Sequence, residues 1–145
     1  MNVDSPVAYF VDTDILVYAY DRSAGYKHEV AVQLMESCWE NENGCLSIQV
    51  LQEFYVTVTR KIVTPLDYQT ALQIVADLPQ WRLHIPKAND LLQSIDLQQI
   101  YQLAFWDAQL VQSAICLECK QLFSEDLHVQ LYGGVQMINP FRGKD

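Results

Sequence analysis

Five consecutive apolar residues, Val7-Ala8-Tyr9-Phe10-Val11, end abruptly at a carboxylate, Asp12. A short apolar run without polar alternation is the signature of a strand buried on both faces, as in the middle of a parallel sheet. Such a strand obliges the rest of the chain to supply helices for both faces. The remaining sequence does so.

A helix begins near Ile15–Tyr20, and another runs from about His28 to Asn41, with Ala31, Leu34, Met35 and Cys38 on one stripe and Asn43-Gly44 as its stop. Cys45-Leu46-Ser47-Ile48 reads as a second strand, leading into a helix from Gln49 to Lys61. Thr64-Pro65-Leu66-Asp67 reads as a helix start, with Thr64 as cap and Pro65 at the first helical position. A strand over Trp81–Ile85, helices over Lys87–Gln102 and Phe105–Lys120, and strands over Gln121–Ser124 and Val135–Ile138 complete the pattern. Strands separated by helices along the whole chain predict a single-domain α/β/α sandwich over residues 1–145, with a mainly parallel central sheet. Ligands of such sheets sit beyond the carboxyl ends of the strands.

The 145 residues suffice for one substantial core. No window approaches the length of a membrane span, and Met1–Pro6 lacks the basic region of a signal peptide, so a cytoplasmic protein is expected. Four cysteines are too few for a disulfide scaffold of this size. Cys116 and Cys119 fall within a helical pattern with no histidine nearby in sequence to complete a zinc site, and His28, His84 and His128 have no mutual ligand spacing. The net charge of −9 repels a polyanion at long range unless cations neutralise the acids where they gather.

Four acids stand where a core does not tolerate them. Asp12 and Asp126 follow strands, Glu53 shares a stripe with Val50, Phe54, Thr57 and Val58, and Asp107 heads the face formed by Leu110, Val111, Ala114 and Ile115. Two carboxylates about 4 Å apart repel by about 4 kcal/mol at an effective dielectric of about 20. Each acid alone has a structural explanation: Asp12, Asp107 or Asp126 as helix-end acids, Glu53 as a partner of Arg60. Together they need four compensations at one end of one sheet, whereas one or two Mg²⁺ or Mn²⁺ ions satisfy all of them.

In this order the motifs Phe10-Val11-Asp12-Thr13-Asp14-Ile15-Leu16, Ser47-Ile48-Gln49-Val50-Leu51-Gln52-Glu53-Phe54, Phe105-Trp106-Asp107-Ala108, Ser124-Glu125-Asp126-Leu127 and Ile138-Asn139-Pro140-Phe141 resemble the PIN-domain family of ribonucleases, in particular the VapC-like toxins of bacterial toxin–antitoxin pairs. The resemblance spans nearly the whole chain. It implies catalytic acids at Asp12, Glu53, Asp107 and Asp126, with Mg²⁺, or Mn²⁺ in its place, held by Asp12, Asp107 and Asp126. It also implies an RNA substrate, a cognate antitoxin and a homodimer. The chain departs from the family at Asp14, where Asn is common, and at Ala104, where Ser is frequent. Asp14 is therefore an auxiliary acid, Ser47 and Ser124 are candidates to orient carboxylates or water, and Arg60 and Lys61 are candidate RNA contacts. Trp106 and Tyr18 read as core aromatics, with base stacking as the alternative.

Two rival readings stay open. Asp12-Thr13-Asp14, Lys120 and Glu125-Asp126 are also similar to the motifs of haloacid-dehalogenase-like phosphatases, with Asp12 as nucleophile. That family expects Thr or Val where Leu16 stands and gives Glu53 and Asp107 no role. The other rival is a non-catalytic protein-binding module whose acids meet a basic partner.

Overall fold

The computed structural model describes residues 7–142; the Met1–Pro6 segment read for a signal peptide and residues 143–145 lie outside the described residues. In chain order the elements are β1 (Tyr9–Val11), α1 (Thr13–Ala19), α2 (Tyr26–Asn41), β2 (Gly44–Ser47), α3 (Ile48–Arg60), α4 (Tyr68–Asp77), β3 (Arg82–His84), α5 (Ala88–Tyr101), α6 (Phe105–Cys116), β4 (Gln121–Phe123), β5 (Leu131–Tyr132) and β6 (Val135–Ile138). Single 3-10 turns occupy Arg22–Ala24 and Leu78–Gln80.

The six strands form one sheet in the order β3-β2-β1-β4-β6-β5. All neighbours are parallel except β5 and β6. Phe10 and Val11 of β1, Leu46 of β2 and Leu122 of β4 are fully buried, each contributing about 1.5–3 kcal/mol of apolar burial. Helix α1 packs on α2 and α3, α3 on α4, and α5 on α6, while α6 also lies against β2, β4 and β6. The α/β sandwich with a mainly parallel sheet is therefore the observed architecture. After β1 the chain builds outward through β2 and β3, then returns to the other side of β1 with β4. The strand order reverses between β1 and β4, which opens the crevice at their carboxyl ends.

Several local expectations change. Gly44 does not end α2: Glu42 closes it in the left-handed conformation (φ 51°), and Gly44 begins β2. Glycine is required at 44 because a Cβ there would lie 2.4 Å from the Trp81 ring. Helix α4 starts three residues later than Thr64-Pro65 suggests, since the Asp67 carboxylate caps it through the Thr70 N–H. Ile48 opens α3 rather than closing β2. Helix α6 ends at Cys116, so Cys119 is a buried residue in the turn before β4. The β5–β6 hairpin was not expected from sequence; its Gly133-Gly134 turn has positive φ at both residues, the conformation that a two-residue hairpin loop demands. Among the described residues, no helix is long and apolar enough to cross a membrane.

Candidate active site

The parallel register Val11↔Phe123 brings the ends of β1 and β4 side by side, and the Asp12 N–H donates to the Phe123 carbonyl at 2.9 Å. Asp12 caps α1, its Oδ1 accepting from the Thr13 N–H at 2.6 Å. Its Oδ2 accepts from the Ser124 hydroxyl at 2.7 Å. Ser124 is fully buried and also accepts from the Asp126 N–H at 3.2 Å, so this serine is hydrogen-bonded to the Asp12 carboxylate. Ser47 does not: its hydroxyl caps α3 through the Val50 N–H at 3.3 Å, the backbone role that a buried serine commonly fills.

Glu53 is exposed, in contrast to the buried Val50, Phe54 and Val58 whose stripe it was expected to share. It flanks that stripe and is held from two sides. The Thr13 hydroxyl donates to Oε1 at 2.8 Å, and Gln49, one turn earlier on α3, lies 3.5 Å from Oε2. Gln49 also donates to the Trp106 carbonyl at 3.3 Å and accepts from Gln109 at 2.9 Å, tying α3 to α6. Asp107, in the first turn of α6, is half-buried, where the helix dipole favours a negative charge. Asp126 is exposed in the loop after β4. The expectation of four desolvated acids thus holds for the strand end and the α6 head, and not for Glu53 or Asp126.

All four acids, together with Asp14, line one open cavity of about 640 Å³. Lys61 is the one cationic side chain among its lining residues. Arg60 is exposed and does not line it. Trp106 is 60 % exposed on the cavity rim rather than in the core. Tyr18 also lines the cavity and donates to Glu125 Oε1 at 2.6 Å.

The charge crowding is visible in the acidities. Burial pushes Asp12 up to about 6, against the hydrogen bonds from Ser124 and Thr13, with the charges of Glu53 and Asp126 adding to the rise. Burial and then the neighbouring Asp12 charge push Asp14 up to about 8. Burial, followed by Asp126 and Glu53, raises Asp107. Glu125 behaves oppositely: burial raises it, but the Lys27 ammonium and the Tyr18 hydroxyl outweigh that and hold it below its ordinary value.

These residues fit a divalent cation. Asp14 Oδ1 is buried with no hydrogen-bond partner, while Oδ2 accepts from the Glu125 N–H at 3.0 Å. One carboxylate oxygen each from Asp14, Glu125 and Asp126 lie within 4.8 Å of one another. Asp12, Asp107 and Asp126, the ligands expected from sequence, do not form so tight a group among the described residues. Asp12 is turned to its two donors, and Asp107 projects from another helix. Asp14 is accordingly more central than an auxiliary acid. Thr13, Gln49 and Lys27 were given no site role from sequence, and Glu125 entered only within a motif and as part of the acidic pair of the phosphatase reading. Thr13 beside Asp12 and Gln49 one helical turn before Glu53 were the available signals; Lys27 carried none.

No family model matches the sequence, and no curated protein matches it. Solved structures do. A toxin–antitoxin complex from Klebsiella pneumoniae superposes with a TM-score of 0.67 at 19 % identity, over 92 % of this chain and 98 % of that one. VapC20 of Mycobacterium tuberculosis, a sarcin–ricin loop cleaving toxin, gives 0.62 at 16 % identity over 82 % and 90 % of the two chains. VapBC2 from Rickettsia felis, bound to a DNA fragment from its promoter, gives 0.62 at 19 % identity over 91 % and 98 %. At these identities the likeness is one of fold: the chain has the PIN-like α/β/α sandwich of the VapC toxins.

Proposed function

We propose that this chain is a divalent-cation-dependent endoribonuclease, the toxin of a toxin–antitoxin pair. The observation that carries the reading is the convergence of five carboxylates on one cavity at the switch point of the sheet, with the buried Asp14 Oδ1 left without a partner. The VapC fold and a neighbour that cleaves the sarcin–ricin loop support it.

Asp14 and Asp126 would hold the cation, with Asp12 and Asp107 lining the same cavity to complete its ligand set. The chemistry supplied by bound Mg²⁺ or Mn²⁺ is acidification of a water molecule and neutralisation of phosphate charge. Ser124 and Thr13 hold Asp12 in one orientation, and Thr13 with Gln49 holds Glu53 beside it as a second carboxylate for water or cation. Lys61 meets a phosphate at the cavity edge, and the exposed Trp106 ring offers a stacking face to an unpaired base. A toxin acting on cellular RNA would do so in the cytoplasm. The acidic cavity and net charge of −9 suit a basic antitoxin segment laid across it, and a homodimer accompanies that assignment by resemblance.

The phosphatase alternative loses support, because Lys120 precedes β4, with its N–H bonded to the Ala8 carbonyl at the amino-terminal edge of the sheet. Asp12 stands at the opposite edge. The test is cleavage of single-stranded and structured RNA by purified protein with and without Mg²⁺ or Mn²⁺. Cation-dependent cleavage that disappears in Asp12→Asn and Asp107→Asn is expected. Full activity in both variants, or none in the folded, cation-loaded parent, overturns the assignment; the second result favours the protein-binding module.

A further inference from the structure

The three histidines have no ligand spacing in sequence, yet the fold brings one of them to a thiol and a carboxylate. His84 ends β3, the outer strand of the sheet; Asp90 lies in the first turn of α5; Cys116 is the last residue of α6. One ligand atom from each lies within 4.8 Å of the other two. We propose that His84, Asp90 and Cys116 form a second metal site that takes Zn²⁺ and is independent of the acidic cavity.

The histidine is prepared for the role. It is 6 % exposed, and its Nδ1 lies 2.7 Å from the hydroxyl of the fully buried Ser113. With Nδ1–H donated to Ser113, Nε2 carries the free lone pair, the arrangement by which an outer partner fixes a metal-binding imidazole. Nε2 is buried without a well-formed hydrogen bond, and Asp90 Oδ2 lies 3.3 Å away, an ion-pair partner only when the imidazole is protonated. A buried neutral nitrogen in that state is destabilising unless something occupies its lone pair. A metal ion between the two groups would do so.

Asp90 is equally fixed. Oδ1 accepts from the Gln112 amide at 2.9 Å and Oδ2 from the Lys87 N–H at 2.8 Å, leaving each oxygen a second lone pair. Cys116 is exposed at the helix end, so its thiol can swing without disturbing the core and gives the ion a way in. In a tetrahedral zinc site with bonds of about 2.0–2.3 Å, donor atoms stand about 3.3–3.8 Å apart. A group already within 4.8 Å therefore needs only a small side-chain rotation. Imidazole, thiolate and carboxylate together select a borderline ion such as Zn²⁺ over Mg²⁺. Three protein ligands leave the fourth position to water. Asp107 lies in the first turn of α6 and Cys116 closes it, so the nine steps between them separate the two centres by about 13 Å along the helix.

Chelator-treated full-length protein titrated with Co²⁺, a spectroscopic substitute for Zn²⁺, tests the assignment. A thiolate-to-cobalt charge-transfer band that saturates at one equivalent, is bleached by Zn²⁺ and survives excess Mg²⁺ is expected. Cys116→Ser should abolish the band and Asp12→Asn should leave it intact. Cys116→Ser changes one exposed atom, so its folding is not at issue. No band in the parent protein overturns the proposal, as does an unchanged band in Cys116→Ser, which would place the thiolate at Cys38, Cys45 or Cys119.

Discussion

The Ser124 hydroxyl donates to Asp12 Oδ2 at 2.7 Å, across 112 residues of sequence, while the same oxygen accepts from the Asp126 N–H. One fully buried atom thus couples the ends of two adjacent parallel strands. Serine is small enough for the space and carries both the donor and the acceptor that the two acids need.

Removing that hydroxyl has a directional consequence. In Ser124→Ala the Asp12 carboxylate loses a bond that favours its charged form, so the group should titrate above its present value of about 6. Cation-dependent RNA cleavage should fall by about 10–100-fold, the usual cost of losing an outer-shell partner. The acidic limb of the pH–rate profile should move to higher pH. A loss of rate with no movement of that limb would reduce Ser124 to a packing role.

Glu53 is exposed and depends on Thr13 and Gln49 for its direction. Thr13→Val keeps the side-chain shape and deletes the donor. Cleavage in this variant should drop by about tenfold with little change in thermal stability. Glu53→Gln combined with Thr13→Val should be no worse than Glu53→Gln alone, since the threonine acts through the glutamate. Additive losses in the double variant would contradict this.

The layers of the fold were legible because its strongest signals are local. Phe10 and Val11 at the end of the apolar run and the stripe of Leu110, Val111 and Ala114 are buried as their patterns require. Asp12 and Asp107 were legible in position for the same reason, as charges interrupting those patterns, whereas Glu53 flanks its stripe and Asp126 is exposed in a loop. What stayed hidden depends on contacts between distant residues. Gly44 reads as a helix stop until Trp81 is seen against it. Glu125 reads as a neighbour of Asp126 until Lys27 and Tyr18 converge on it from the first quarter of the chain. His84, Asp90 and Cys116 belong to three elements, and no spacing rule joins them.

Arg60 and Lys61 are adjacent in sequence and differ in place, since only Lys61 lines the cavity. Lys61→Ala should weaken RNA binding and lower the slope of log K against log salt by about one phosphate contact. Arg60→Ala should leave both unchanged. Filter binding of a single-stranded RNA over a range of salt concentrations, with Ca²⁺ as a test cation, separates the two. Equal effects of the substitutions would mean that general surface charge rather than the cavity edge attracts the RNA.

The raised acidities make a prediction about stability whose sign is fixed. Asp12 at about 6 and Asp14 at about 8 keep protons that the unfolded chain, with carboxyls at 3.8, has already released. Between about pH 4 and pH 8 the folded state therefore binds more protons than the unfolded one, and stability falls as pH rises. Asp67, Asp90 and Glu125 are shifted the other way, so their stabilising contribution is complete by about pH 5 and does not mask the decline. In chelator, the melting temperature should fall from about pH 5 to pH 8, by an amount corresponding to a few kcal/mol. Asp14→Asn removes the larger shift and should flatten the decline. Mn²⁺ should restore the parent protein at pH 8, because the ion binds the folded, ionised carboxylates and not the unfolded chain. A melting temperature that stays level across this range in the parent, or the same decline in Asp14→Asn, would mean that the acids at the ends of β1 and β4 are not crowded in solution.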